Sequence, residues 1–212
     1  MIGGEAAGNG ELIANIQLAQ EVSDRLIAAD IDFCVFSGFH AALLAAHRQT
    51  PDIDFWADHT KWDQLVETFP DASILDRRIT KRPGDPYDGV LITLGGGDVS
   101  VMSGTIIFSD NVSYPSPFTD LVRENRVHTT MHGLKTWYAN PADTLLFKAI
   151  SQRGRAQGKH DLDDIAAINN AVSIDRQYLL QRIHECHAAA RTIPLLLQMG
   201  VLSEADLLQY VA

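Results

Sequence analysis

The stretch "FSGFHAALLAAHRQTPDIDFWAD", residues 36–58, decides how this chain reads. It closes an apolar, aromatic segment ("IDFCVF", 31–36) whose β-branched and aromatic content marks a buried strand. Ser37-Gly38 breaks that strand. "FHAALLAAHR" has the Ala/Leu content of a helix. "DIDFWA" then alternates, with Asp52, Asp54 and Trp56 on one face and Ile53, Phe55 and Ala57 on the other. Two carboxylates about 7 Å apart along one face of a strand repel each other, and burying them unpaired is costly. A hard divalent cation removes that penalty, and Mg²⁺ or Mn²⁺ suits a pair of carboxylates that shares the metal with substrate phosphates. Glycine at a strand-to-helix turn lets the backbone approach a ligand closely. The free N–H groups of the helix that follows favour anions, and the Ser37 hydroxyl adds a donor.

Outward from this stretch, a helix is expected over Glu11 to Asp30, where apolar residues recur at helical spacing, after a frayed Gly/Ala-rich start at 1–9. A helix is expected at 58–69, strands near 72–79, 88–94 and 98–107, a short helix in "SPFTDLVRENR", and a hairpin turning at His132-Gly133. From Pro141 the pattern is helical, with helices near 142–153, 161–172, 175–190, 191–199 and 203–211. The expectation is an α+β fold: a mixed, twisted sheet flanked by helices over 1–138, followed by a helical region over 139–212.

The chain has 212 residues, 46% hydrophobic and 21% charged, an ordinary globular balance. Its net charge of −10 argues against a broad basic face for duplex nucleic acid. There is no apolar run of membrane-spanning length and no signal-peptide pattern, so a cytoplasmic protein away from the membrane is expected. Cys34 and Cys186 make no disulfide framework. His184 and His187 lack a third metal ligand nearby, and the chain has no H-E-x-x-H, Walker or G-x-S-x-G motif.

The stretch 36–58 resembles the first motif of the nucleotidyltransferase superfamily, the DNA polymerase beta-like fold. That motif has a hydrophobic strand, a Gly-Gly or Gly-Ser turn, a helix, then R-x-T-x-D-I-D. Here these are Ser37-Gly38, Arg48, Thr50, Asp52, Ile53 and Asp54, with Ser37 at what is commonly the first glycine. "NPADTLLFKAISQRGRAQGKHDLDDIAAI", 140–168, is similar to a second segment of the AbiEii-type toxins and related bacterial nucleotidyltransferases, with Lys148, Arg155, Lys159, Asp161 and Asp164 in the corresponding positions.

The resemblance implies an Mg- or Mn-dependent enzyme that moves a nucleoside monophosphate from an NTP such as ATP to an acceptor hydroxyl. The acceptor would be a tRNA, a small molecule or a protein, and a toxin role would add an antitoxin partner. Asp52 and Asp54 would hold the metal. Ser37, Gly38, Lys148, Arg48 and Arg155 would hold the phosphates. A third carboxylate completes such sites, and Asp98 is the candidate, on one face with Ser100 of the strand "DVSVM". If that register falls on Ser100 instead, the chain is a catalytically degenerate nucleotide-binding or protein-interaction module. Asp161 and Asp164, at i and i+3, share a helical face and suit pairing with Lys148 or Arg48.

Overall fold

The computed structural model describes residues 6–46, 48, 50, 52–70, 73–76, 87–94 and 99–211. The long first helix α1 (Ala6–Ala28) begins at Ala6, five residues before the expected start, and runs through Gly8, Asn9 and Gly10 despite their low helix propensity. Then follow β1 (Phe33–Phe36), α2 (Ser37–Ala45), β2 (Ile53–Ala57), α3 (Trp62–Thr68), β3 (Ser73–Asp76), β4 (Tyr87–Leu94) and β5 (Val99–Ser109). Next are β6 (Val112–Ser116), α4 (Asp120–Asn125), β7 (Val127–Met131) and β8 (Leu134–Tyr138). Five helices close the chain: α5 (Pro141–Ser151), α6 (Asp161–Ala171), α7 (Arg176–Glu185), α8 (Ala189–Gln198) and α9 (Glu204–Val211). The α+β expectation holds.

The strands form one mixed sheet in the order β3-β4-β5-β2-β1-β8-β7, with β6 paired to β5. β2 runs antiparallel to β1 and parallel to β5. The β7–β8 turn falls at His132-Gly133 as expected, with φ of 49° and 89°. Positive φ at both central residues is the primed turn that matches strand twist. A second hairpin was not anticipated. β5 folds back on β6 through Asp110-Asn111, φ 49° and 64°. Pro115 is tolerated in β6 because, among the described residues, that strand pairs with β5 alone.

Alternation along the central strands sends side chains to two cores. Phe33 and Val35 of β1 and Ile53, Phe55 and Ala57 of β2 pack with α1, α3 and part of α2. Cys34, Phe36 and Trp56 point to the other face, under the helices from α5 onward. That second core draws buried residues from both sides of position 138. Both cysteines are free and buried. His184 and His187 are exposed, and among the described residues no helix is long and apolar enough to cross a membrane.

Asn140 and Pro141 start α5: the Asn140 side chain accepts from the Ala142 N–H at 3.0 Å, and proline takes the first helical position. This fixes where α5 enters the sheet face and so where Lys148 arrives. α2, α5 and α6 pack on one another, which brings three helices to the end of β1 and β2 where Ser37 and Asp54 lie.

Candidate functional site

A cavity of about 420 Å³ lies among these elements. Its walls come from the β1–α2 turn, the segment before β2, the start of β5, helix α5 and the loop into α6. Ser37, Gly38, Arg48, Asp52, Asp54 and Lys148 all line it, so the structure brings together six of the eight residues singled out from sequence. Arg155 is not among the lining residues: its guanidinium is paired with Asp163 at 2.9 Å, and its side chain is 78% exposed. The loop presents Arg153, Lys159 and His160 to the cavity instead. Asp98 lies outside the described residues.

The carboxylates sit as alternation requires. Asp52 precedes β2 and is exposed, whereas Asp54 lies within the strand on the same face as Trp56. The parallel register sets Asp54 opposite Ser100 of β5. The Ser100 hydroxyl donates to Asp54 Oδ1 at 2.6 Å, and the Ser37 hydroxyl also bonds Asp54. Burial pushes the Asp54 carboxyl above its usual range, opposed by the Ser100 bond, raised further by Asp52, and opposed again by Lys148 and Ser37.

The turn before α2 explains why glycine suits both of its positions. Ser37 has φ 61°, in the left-handed region where a Cβ is unfavourable by roughly 1–2 kcal/mol. A Cβ on Gly38 would stand 3.1 Å from Arg48 Nη2, 3.8 Å from Thr50 Oγ1 and 3.9 Å from Lys148 Nζ. The backbone here lies open to two cations and to the N–H groups of a nine-residue helix.

Those cations are anchored from behind by α6. Arg48 donates Nε and Nη2 to the two oxygens of Asp164 at 2.8 and 2.9 Å. Lys148, buried on α5, contacts Asp161 at 3.0 Å and Asp164 at 2.9 Å. Arg153 gives its backbone N–H and Nε to Asp161 at 3.0 and 2.8 Å. Burial raises Asp161, but the Arg153 hydrogen bond and the Lys148 charge outweigh it and hold its pKa below the usual carboxylate range. The pairing of Asp161 and Asp164 with Lys148 and Arg48 is the one their helical spacing suggested. Arg48 reaches across to α6. Sequence reasoning passed over Arg153, which differs from Arg155 in nothing a composition can show.

Among the described residues, Arg48, Lys148, Arg153 and Lys159 oppose Asp52, Asp54, Asp161 and Asp164, so the formal charges around the cavity cancel. Two carboxylates with oxygen-only chemistry, next to an open turn and two cations, fit a hard divalent cation shared with phosphate. Among the described residues no group of three or more His, Cys, Asp or Glu is placed to hold a metal ion.

No family model matches the chain, and no curated protein sequence does. Solved structures do. The solution structure of the antibiotic-resistance factor ANT(2″)-Ia is 11% identical with a TM-score of 0.51, over 88% of this chain and 96% of that one. A crystal structure of ANT(2″)-Ia in complex with adenylyl-2″-tobramycin is 9% identical at a TM-score of 0.49, over 81% and 97%. TM1012 of Thermotoga maritima, assigned to the nucleotidyltransferases, is 16% identical at 0.49, over 70% and 89%. At such identities the likeness is one of fold, and the ANT(2″)-Ia solution structure carries it. The α+β fold of this chain is similar to that of ANT(2″)-Ia in solution.

Proposed function

We propose that the chain is a nucleotidyltransferase that moves a nucleoside monophosphate from an NTP, in the presence of Mg²⁺ or Mn²⁺, to an acceptor hydroxyl. The observation that carries this reading is the meeting of Asp52 and Asp54 with the Ser37-Gly38 turn, Arg48 and Lys148 around one cavity. Asp52 and Asp54 are the residues we assign to the metal. Bound there, a divalent cation would neutralise phosphate charge and polarise the phosphorus under attack.

The chain's own groups supply the rest. The N–H groups opening α2 and the Ser37-Gly38 turn receive the outer phosphates. Two of the three Lys148 ammonium protons go to Asp161 and Asp164, which leaves one for a phosphate oxygen. Ser37 and Ser100 hold Asp54 in one orientation at the cavity wall. Asp98, on the alternation that also carries Ser100, is the group we assign to take the proton from the acceptor hydroxyl as that oxygen bonds to the α-phosphorus and pyrophosphate leaves.

The acceptor is a hydroxyl on a small molecule, a protein or a tRNA. The fold shared with an antibiotic-resistance factor and the net charge of −10 favour a small molecule over a long RNA. Mixing the protein with α-³²P-labelled NTPs, Mg²⁺ and pooled small hydroxyl compounds tests the reading. Transfer of label that is lost in Asp54→Asn is expected, and absence of both NTP binding and transfer overturns it. A second reading, a degenerate nucleotide binder, draws on Ser100, since the residue opposite Asp54 on β5 is a hydroxyl and not a carboxylate. Wild-type transfer that Asp98→Asn abolishes supports the first reading, and nucleotide binding by wild type without any transfer supports the second.

A further inference from the structure

We infer that Asp161 and Asp164 are built-in counter-anions that restrict the cavity to the metal-loaded form of its nucleotide and exclude free polyanions. The inference deepens the proposed function and rests on it. A cradle for a naked polyphosphate would present cations in excess. Here every strongly placed cation already has a carboxylate. Arg48 is held by both oxygens of Asp164, Lys148 lies between Asp161 and Asp164, and Arg153 is clamped on Asp161. Asp161 and Asp164 are fully buried, so solvent does little to screen them.

Asp52 and Asp54 face the same space from the strand side. A metal-free triphosphate, with a charge of about −4, therefore meets described residues with no excess of positive charge and with two carboxylates opposite it. The same triphosphate with two divalent cations is neutral, and those cations also relieve Asp52 and Asp54 of their mutual repulsion. The α6 carboxylates act through Arg48, Lys148 and Arg153. They are positioning and selectivity residues, not catalytic ones.

The test is a titration of the full chain, followed by calorimetry, with ATP in EDTA and with ATP plus Ca²⁺ or Mn²⁺. Wild type is expected to bind metal-free ATP at least about a hundredfold more weakly than metal-loaded ATP, since four like-signed charges are left uncompensated. Asp161→Asn and Asp164→Asn each remove one buried negative charge, and each is expected to tighten metal-free binding about tenfold. Metal-loaded binding should change far less or weaken, so the ratio contracts. A purely structural role would lower both affinities together and leave the ratio where it was.

Circular dichroism establishes that each variant is folded, and the wild-type comparison stands even if neither variant folds. Metal-free ATP bound by wild type within about threefold of metal-loaded ATP overturns the inference while leaving the proposed function intact, and so does an unchanged ratio in a folded variant. If ATP fails to bind wild type with or without metal, the proposed function itself falls and the inference falls with it.

Discussion

Replacing Lys148 by methionine removes one charge from a linked set of five residues, three of them buried, and keeps most of the side chain's volume. Its ammonium contacts Asp161 at 3.0 Å and Asp164 at 2.9 Å, with 5% of the side chain exposed. Breaking a buried ion pair by removing one partner destabilises by about 3–5 kcal/mol when the remaining charge is left bare. Here neither carboxylate is left bare, because Asp161 keeps Arg153 and Asp164 keeps Arg48. We therefore expect a cost of roughly 2–3 kcal/mol, below that range. For a chain of this length, each kcal/mol lowers the melting midpoint by about 2–4 °C, so Lys148→Met should melt about 4–12 °C below wild type. Differential scanning calorimetry at neutral pH measures it. Combining Lys148→Met with Asp161→Asn should cost less than the two single changes summed, since the double variant removes a matched pair. A midpoint within about 2 °C of wild type for Lys148→Met, or strict additivity in the double variant, would refute the account of Lys148 as the centre of a coupled ion-pair lattice.

Three further outcomes follow from the geometry. Asp54→Asn is expected to raise the melting midpoint at neutral pH, because burial holds the Asp54 pKa above its usual value and ionising it opposes folding. The same change should weaken metal-dependent nucleotide binding by more than the roughly 10–100-fold typical of residues that only support a ligand, as calorimetry would show. His40 is buried, with Nδ1 2.8 Å from Thr144 Oγ1, and burial lowers its pKa from 6.5 to about 3. Between those values the unfolded chain holds the extra proton. His40 therefore removes stability as pH falls through that window, at up to about 1.4 kcal/mol per pH unit, and His40→Gln should flatten the acid limb in urea titrations. Ser37→Gly and Ser37→Ala both lose the hydroxyl that bonds Asp54, but only glycine relieves the left-handed backbone, so the glycine variant should be the more stable by roughly 1–2 kcal/mol in denaturant melts.

The parts of this fold that sequence reveals are those set by local period. A repeat of two placed Asp54 on the face opposite Ile53 and Phe55, and the structure has them so. Helical i, i+3 spacing put Asp161 and Asp164 on one face, ready for Lys148 and Arg48. What escaped was set by distant pairing or by backbone shape. β6 received no assignment from sequence: "NVSYPS" carries a proline and no clear period, and its pairing with β5 makes it a strand. That Arg153 and not Arg155 reaches the cavity follows from the course of the loop between α5 and α6, where both residues look alike in composition. The left-handed Ser37 could be suspected only from the glycine that commonly occupies its place. The pairing of Asp54 with Ser100 depends on a parallel register between strands 46 residues apart, which no local pattern encodes.

Calorimetric titration of wild type, Asp52→Asn and Asp54→Asn with the Ca²⁺ complex of ATP bears most directly on the claim that the two aspartates and the Ser37-Gly38 turn form one nucleotide–metal site. The account predicts saturable binding by wild type and its loss in both folded variants. Undiminished binding in folded Asp54→Asn, or no binding by wild type, would contradict it.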